Sequence, residues 1–260
     1  MAEPGFLESH LRAQRDAGRK LLVPYLTGGL PGWLDHVRAA VDGGADCVEV
    51  GIPFSDPVMD GPTIQAASER ALAAGATPQS ILDGLRGLDA GVPLAVMTYY
   101  NIAFHMGHER FAQTLRDAGV AAAILPDLPL EESAPWCAVA DEVGVETVML
   151  AAPTAPDDRL PMICARARGF VYGVGLLGVT GERTALAESA LVMAKRLKAV
   201  TDKPVLVGIG ISNAAQAVEV CHEADGVIVG SALIRRLLDG GGPEGAAAFV
   251  SELREGLDRG

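Results

Sequence analysis

Eight apolar runs of strand length recur along the chain, and none of them alternates apolar with polar residues. Strands with one face in water show that alternation, whereas strands of a parallel sheet are covered on both faces and read as continuous apolar runs. The pattern therefore predicts eight parallel strands. The runs cover residues 20–27, 47–52, 92–100, 121–127, 146–152, 170–175, 204–210 and 226–232.

Segments with helical periodicity lie between the runs. Their apolar residues recur every three or four positions, which places them on one face of a helix. Several segments end on a glycine shortly before the next run, as at Gly44 and Gly119, and this is typical of a left-handed helix C-cap. The predicted helices cover residues 35–42, 78–88, 109–118, 133–143 and 185–200.

Strand and helix thus alternate about eight times within 260 residues. This length and order predict an α/β protein with a single (β/α)8 TIM-barrel domain over residues 1–260. A closed barrel buries every strand on both faces and leaves no edge, which favours it over the alternative of an open doubly wound sheet. No linker or low-complexity tract indicates a second domain.

The formal net charge of −12 argues against a surface for nucleic acid or an anionic membrane. An anionic ligand would therefore need a local site of backbone amides or a helix N-terminus. The four cysteines form no CxxC pair and are expected to be buried free thiols. No signal sequence and no apolar run of about 18 residues is apparent, so we expect a cytoplasmic protein.

Two carboxylates follow the second run. Glu49 lies inside an otherwise apolar strand, where burial raises the pKa of a carboxyl toward the range useful for proton transfer. Asp60 follows in the next loop, so the two could share acid–base work. The alternatives are a Glu49 satisfied by neighbouring hydroxyls or amides and an Asp60 that serves as a turn or cap. Asp56, directly before a proline, is better explained as a turn residue.

Glycine-rich loops follow the last three runs, at residues 178–181, 208–210 and 230–231. Glycines let backbone N–H groups approach an anion, and Ser231 begins a predicted helix over 231–238 whose dipole favours negative charge. Because loops after strands seven and eight form the recurrent phosphate site of TIM barrels, we expect a phosphate there. The alternative is that these glycines serve only tight turns. The spacing lacks the third glycine of a dinucleotide-binding loop.

Other catalytic groups are poorly supported. The five histidines are scattered without a third ligand near His105 and His108, so no metal site is expected. The only lysine on a predicted strand, Lys20, stands at the start of the first, which argues against a Schiff-base aldolase.

The stretch from Pro53 to Gln65, read after a glutamate-bearing strand, resembles the signature of the tryptophan synthase α subunit family. The likeness extends along nearly the whole chain. It implies a TIM-barrel lyase that cleaves indole-3-glycerol phosphate to indole and D-glyceraldehyde 3-phosphate in tryptophan biosynthesis. Further matches are PYLTGG at 24–29, YYN at 99–101, PDLPLEES at 126–133, GVTG at 178–181 and VGSA at 229–232.

The resemblance also implies roles for individual residues. Glu49 would be the main acid–base group, and Asp60 would hydrogen-bond the indole N–H and stabilise the positive charge that develops there. Tyr172 would line the indole pocket, and Thr180 would belong to a mobile lid over the substrate. The phosphate would rest on the backbone amides of Gly181, Gly210, Gly230 and Ser231.

By the same resemblance the partner is a pyridoxal-phosphate-dependent β subunit in an α2β2 heterotetramer, contacted by Pro53, Phe54 and Asp56. No cofactor is expected on this chain itself. Three stretches depart from the family pattern: the apolar residues 173–177, Glu182-Arg183, and Val58-Met59. These departures leave open a stand-alone indole-3-glycerol phosphate lyase that releases free indole. A non-catalytic barrel and an isomerase or aldolase for another sugar phosphate are further alternatives.

Overall fold

Eight parallel strands form a closed barrel in the structure, a computed structural model that describes residues 3–175, 183–208 and 210–260, without the side chains of 183–188. Each strand pairs with its sequence neighbours, and β8 pairs back onto β1. The predicted barrel is confirmed and the open sheet is excluded. The strands are β1 (Leu21–Thr27), β2 (Val48–Gly51), β3 (Leu94–Met97), β4 (Ala122–Ile124), β5 (Glu146–Ala151), β6 (Val171–Val174), β7 (Val205–Gly208) and β8 (Gly226–Val229).

Helices surround the barrel, and all five predicted helical segments are confirmed, as α2, α4, α6, α7 and α9 below. The left-handed conformation expected at Gly44 and Gly119 is also present, with φ of 99° and 76°. The helices are α1 (Phe6–Asp16), α2 (Trp33–Asp42), α3 (Pro62–Ala73), α4 (Pro78–Leu85), α5 (Tyr100–Met106), α6 (His108–Asp117), α7 (Ala134–Val143), α8 (Leu160–Arg166), α9 (Arg183–Lys198), α10 (Ala214–Cys221), α11 (Ser231–Leu238) and α12 (Gly242–Arg259), with a 3-10 turn at Leu130–Glu132.

Seven of the eight predicted strands were too long at their C-terminal ends, whereas β1 ends at Thr27 as predicted. β3 ends at Met97 rather than at Tyr100, and β8 ends at Val229, so that Ser231 begins α11 as predicted. The reason is that the loops after the strands are themselves covered: Tyr99, for example, is 3% exposed although it lies outside β3. Apolar composition therefore continues past the last ladder hydrogen bond.

Helix α1, which the sequence analysis missed, closes the N-terminal end of the barrel. Its Leu7 and Leu11 are fully buried and pack into the barrel interior together with Phe170, the residue directly before β6. The carboxylate of Glu146 at the start of β5 accepts hydrogen bonds from the backbone N–H groups of Leu7 and Glu8, at 2.6 and 3.0 Å. These bonds satisfy amides of the first helical turn, which has no intrahelical partner for them.

The four cysteines are free and buried, as expected. The described residues include no helix that is both long enough and apolar enough to cross a membrane.

A buried ion pair fastens α12 to the N-terminal ends of the first two strands. Asp46, just before β2, accepts hydrogen bonds from Arg254 at 3.2 Å and Arg19 at 2.6 Å and from the backbone N–H of Leu22 at 2.8 Å. Arg254 also donates to the carbonyl oxygen of Lys20 at 2.8 Å. The side chains of Asp46 and Arg254 are 3% and 8% exposed, so this pair is shielded from solvent screening.

We predict that Arg254→Met lowers the free energy of unfolding by about 3 kcal/mol, because it removes one partner of a buried pair. The substitution lies at the N-terminal face of the barrel, whereas TIM barrels carry their functional loops at the C-terminal face, so the candidate site should stay unchanged. Urea denaturation measures the first effect. Arg259→Met is the matched control: Arg259 is 75% exposed and, within the described part of the chain, pairs only with Glu255 on the same helix, so its loss should cost less than about 0.5 kcal/mol. Equal losses for both variants would contradict the prediction.

Candidate active site

Glu49 points into the barrel from the middle of β2. Its neighbours Val48 and Val50 pack outward against the helices, so the two-residue period of the strand turns Glu49 inward. In the adjacent strands it pairs with Tyr25 of β1 and Ala95 of β3. Glu49 is 1% exposed, which makes it a carboxyl enclosed by the barrel wall.

The environment of Glu49 favours its protonated form. Burial raises the pKa of this carboxyl to about 8, and the nearby charge of Asp60 contributes in the same direction. Within the described part of the chain, Oε2 of Glu49 has no hydrogen-bond partner. The alternative of a glutamate satisfied by neighbouring hydroxyls or amides is therefore not supported by the described residues. A carboxyl with a pKa near neutrality is able both to give and to take a proton.

Asp60 lies in the loop between β2 and α3. The N-cap of α3 is Gly61, without a side-chain cap, so Asp60 does not serve as the helix cap that the sequence left open. Burial raises the pKa of the Asp60 carboxyl, while a hydrogen bond from Tyr99 lowers it. Asp56 is exposed and accepts a hydrogen bond from the hydroxyl of Ser55, which agrees with its interpretation as a turn residue.

A cleft of ≈170 Å³ brings the carboxylates together with the glycine-rich loops at the C-terminal end of the barrel. Six predicted site residues line it: Glu49, Asp60, Tyr172, Gly210, Gly230 and Ser231. Thr180 and Gly181 lie outside the described residues. A larger cavity of ≈530 Å³ lies beside the cleft over the ends of β4, β5 and β6, and Met59 lines both.

Tyrosines and apolar side chains complete the cleft, and the sequence analysis missed most of them. Tyr25, Met97 and Ile64 line it together with Tyr172. The glycines at the ends of β2 and β7 were the available sequence signal, because a glycine in a strand often leaves room for a large neighbouring side chain. A Cβ on Gly208 would lie 2.5 Å from the Tyr172 hydroxyl, and a Cβ on Gly51 would collide with the Tyr25 hydroxyl. Burial raises the pKa of Tyr25 and of Tyr172, so both rings stay neutral.

The glycine-rich side of the cleft is suited to an anion. Gly230 is the N-cap of α11 and Ser231 its first residue, and no side chain among the described residues caps this helix. Uncapped N–H groups and the helix dipole both favour negative charge at this point. Gly210 has a φ of +62°, a conformation that favours glycine and leaves its backbone unshielded by a side chain.

The loop that carries the predicted partner contacts is partly apolar and exposed. Asp56 is exposed and Phe54 half-buried, whereas Pro53 is buried within the chain and offers little surface. Val58 and Met59, which depart from the family pattern, are 78% and 44% exposed.

No group of three or more His, Cys, Asp or Glu side chains that could hold a metal ion occurs within the described residues.

Comparison with known proteins identifies the family. A sequence model described as tryptophan synthase alpha chain matches residues 11–255. The chain belongs to the tryptophan synthase alpha chain family. It is 46% identical to the tryptophan synthase alpha chain of Streptomyces coelicolor, with 96% of each chain covered. Among solved structures it is similar to tryptophan synthase of Mycobacterium tuberculosis (TM-score 0.90, 38% identity, 98% of this chain and 99% of the other covered). It is also similar to the alpha subunit of Legionella pneumophila (TM-score 0.90, 32% identity, 99% and 100% covered).

Membership of the tryptophan synthase alpha chain family confirms the resemblance found in the sequence. It makes the chain a carbon–carbon lyase of tryptophan biosynthesis. The cleft around Glu49 and Asp60 is the candidate active site of this enzyme.

The raised pKa of Glu49 predicts a pH-dependent effect of Glu49→Gln on stability. In the unfolded chain this carboxyl loses its proton near pH 4.5, but in the folded protein only near pH 8. Between these values the unfolded state binds fewer protons, so wild-type stability falls as pH rises, by about 1.4 kcal/mol per pH unit. Glutamine does not titrate, so Glu49→Gln lacks this pH dependence. The free energy of unfolding of Glu49→Gln should therefore increase relative to wild type from pH 5 to about pH 8.

Thermal unfolding of both proteins across this pH range measures the difference. Asp56→Asn, which alters an exposed carboxylate of the neighbouring loop, is the control. Its stability should differ from that of wild type by the same amount at every pH. A constant difference between Glu49→Gln and wild type at all pH values would show that Glu49 titrates normally.

Proposed function

We propose that this chain cleaves indole-3-glycerol phosphate to indole and D-glyceraldehyde 3-phosphate, as the α subunit of a tryptophan synthase. The observation that carries the proposal is the buried carboxyl of Glu49, which shares one cleft with Asp60 in the barrel of this family. The same cleft is lined by Gly230 and Ser231 at the N-terminus of α11, which suits a phosphate.

The proposed chemistry is a retro-aldol-like cleavage in which Glu49 is the acid–base group. Protonated Glu49 delivers its proton to C3 of the indole ring, and positive charge develops on the ring nitrogen. The Glu49 carboxylate then takes the proton of the C3′ hydroxyl, so that a carbonyl forms at C3′. The C3–C3′ bond breaks, and its electrons return to the ring and restore neutral indole. A pKa of about 8 keeps both forms of Glu49 accessible near neutral pH.

Asp60 would act on the ring nitrogen. Its carboxylate hydrogen-bonds the indole N–H and stabilises the positive charge that protonation at C3 creates. In a cleft partly shielded from water this attraction is stronger than in bulk solvent. The neutral rings of Tyr25 and Tyr172 and the side chains of Met97 and Ile64 would enclose the indole as an apolar wall.

The phosphate would rest at the far end of the cleft. Gly230 and Ser231 offer the free N–H groups at the start of α11, and Gly210 adds an unshielded backbone. Gly181 would add a further amide, and Thr180 would lie on the lid. With a net charge of −12, the protein has to bind this anion by such local dipoles rather than by its overall field.

The proposed partner is a β subunit that carries pyridoxal phosphate and receives the indole, in an α2β2 heterotetramer. The exposed Asp56, the half-buried Phe54 and the exposed apolar side chains of Val58 and Met59 support a docking surface at the mouth of the cleft. Pro53, buried beneath them, would shape the loop. We propose no cofactor on this chain, no nucleic-acid or membrane partner, and a cytoplasmic location, in line with four free buried cysteines.

The test is steady-state indole release from indole-3-glycerol phosphate by the purified chain, alone and with a tryptophan synthase β subunit. We predict that Glu49→Gln lowers the turnover at least 100-fold, because glutamine keeps the shape but cannot transfer protons, a loss on the order of 10²–10⁴. Asp60→Asn should also be severely impaired, since a neutral amide stabilises a developing cation poorly.

Asp56→Asn is the matched control for the aspartates and should keep most of the turnover of the isolated chain. If Asp56→Asn were inactive and Asp60→Asn nearly normal, the catalytic aspartate would be Asp56 and the assignment of Asp60 would be wrong. The β subunit should accelerate the wild-type chain by about tenfold or more, which requires only about 1.4 kcal/mol of preferential binding to the closed form. High turnover of the isolated chain without any response would instead indicate a stand-alone lyase.

We further predict that Gly230→Asp weakens the binding of glycerol 3-phosphate by about tenfold or more, because a carboxylate at the start of α11 repels the phosphate at short range. Gly230→Ala is the matched control. A Cβ at this position meets its nearest atom, Cβ of Tyr25, at 3.4 Å, and the residue has a negative φ, so alanine should be tolerated. Calorimetric titration compares the three proteins, and equal affinities would place the phosphate elsewhere.

A further inference from the structure

Tyr99 lies between the two parts of the active-site loop and has no role in the proposed catalytic and phosphate-binding groups. It follows β3 as the N-cap of α5 and is 3% exposed. Its side chain reaches across to the loop that joins β2 to α3, and it contacts that loop at two separate points.

The hydroxyl of Tyr99 makes the first contact. It accepts a hydrogen bond from the backbone N–H of Met59 at 2.9 Å, and its interaction with the neighbouring carboxylate of Asp60 lowers the pKa of that group. Burial raises the pKa of Tyr99 to about 12, so at neutral pH the hydroxyl keeps its proton. Because the Met59 amide supplies a donor to the phenol oxygen, the proton of the hydroxyl is available to the carboxylate.

The ring of Tyr99 makes the second contact. It stacks on Phe54, with ring centroids 5.2 Å apart and an angle of 28° between the planes. Phe54 belongs to the surface proposed to face the β subunit, whereas Asp60 lines the cleft. One rigid side chain thus touches the loop near its outer surface and near its catalytic end.

We infer that Tyr99 is a positioning residue that orients the Asp60 carboxylate toward the indole nitrogen and makes this orientation depend on the Phe54 side of the loop. The inference rests on the proposed function. A partner that fixes Phe54 fixes the ring of Tyr99, and the hydroxyl of that ring holds the amide of Met59 and acts on the carboxylate of the next residue, Asp60. Binding at the outer surface and charge placement in the cleft are coupled through a single contact chain.

A purely structural role would be to satisfy the buried amide of Met59. That role predicts a loss of stability for a variant without the hydroxyl, but no specific kinetic change. The positioning role predicts a change in the catalytic step and in its pH dependence. Besides Tyr99, the groups that face Asp60 are Glu49 of β2, Tyr25 of β1 and Tyr172 of β6. Burial raises the pKa of Asp60 and Tyr99 lowers it, so among the described residues Tyr99 is the neighbour that favours the ionised form.

The test is Tyr99→Phe, which keeps the ring and its stacking but removes the hydroxyl. We expect kcat for indole formation to fall by about tenfold or more, the equivalent of one hydrogen bond to a charged group, with KM within about twofold of wild type. The acid limb of the kcat–pH profile should move to higher pH, because Asp60 loses the donor that lowers its pKa. Tyr100→Phe, which removes the neighbouring hydroxyl bound to His108, is the matched control and should match wild type in both readouts.

A double variant that combines Tyr99→Phe with Asp60→Asn provides the decisive comparison. If Tyr99 acts through Asp60, adding Tyr99→Phe to Asp60→Asn should lower kcat by less than about twofold further. Should Tyr99→Phe fail to fold in a thermal unfolding control, Phe54→Leu tests the ring contact instead, with a weakened acceleration by the β subunit expected. An unchanged kcat and acid limb in folded Tyr99→Phe, or a full additional loss in the Asp60→Asn background, would overturn the inference. A wild-type chain that forms no indole with or without the β subunit would instead contradict the proposed function.

Discussion

Pairing of β8 with β1 is the constraint on which the rest of the molecule depends. Once Leu21–Pro24 pair with Gly226–Val229, every strand has a neighbour on both sides and no edge is left open. All strands then end at the same rim, so loops that are distant in sequence meet there. Glu49 from β2 and Ser231 after β8 line one cleft although 182 positions separate them. The close approach of β8 to β1 requires Gly226, where a Cβ would collide with Leu21.

The two ends of the barrel have different tasks, and the buried charges show it. At the N-terminal end each buried carboxylate has donors: Asp46 binds two arginines and an amide, and Glu146 binds two amides of α1. At the C-terminal end Glu49 is enclosed without a partner for Oε2 among the described residues, and burial raises its pKa to about 8. The paired carboxylates at the N-terminal end thus stabilise the fold. The unpaired carboxyl of Glu49 lowers the stability of the fold but is able to exchange a proton with a substrate.

The loop between β2 and α3 joins these chemical features to the surface. It begins directly after the strand that bears Glu49, exposes Val58 and Met59, and returns to the cleft with Asp60. Tyr99 contacts it near both ends, through the ring of Phe54 and the amide of Met59. A catalytic aspartate on a loop needs such support, because loops are more mobile than the strands that carry them.

The barrel is predictable from local patterns alone, because eight unalternating apolar runs separated by periodic segments have few other ways to bury both faces of every strand. It also pointed to Glu49, since a carboxylate in an apolar strand is costly, and to Gly230 and Ser231, since a glycine before a helix is a local signal. The surroundings of these residues are defined only once the chain has folded. Tyr25 and Tyr99 lie within predicted apolar strands, and α1 was not predicted at all. Closure of the barrel places the two tyrosines against Glu49 and Asp60, and α1 against the N-terminal end of the barrel. Contacts of this kind join residues far apart in the chain, and no local pattern records which hydroxyl or which helix will fill a space that exists only after the strands have closed.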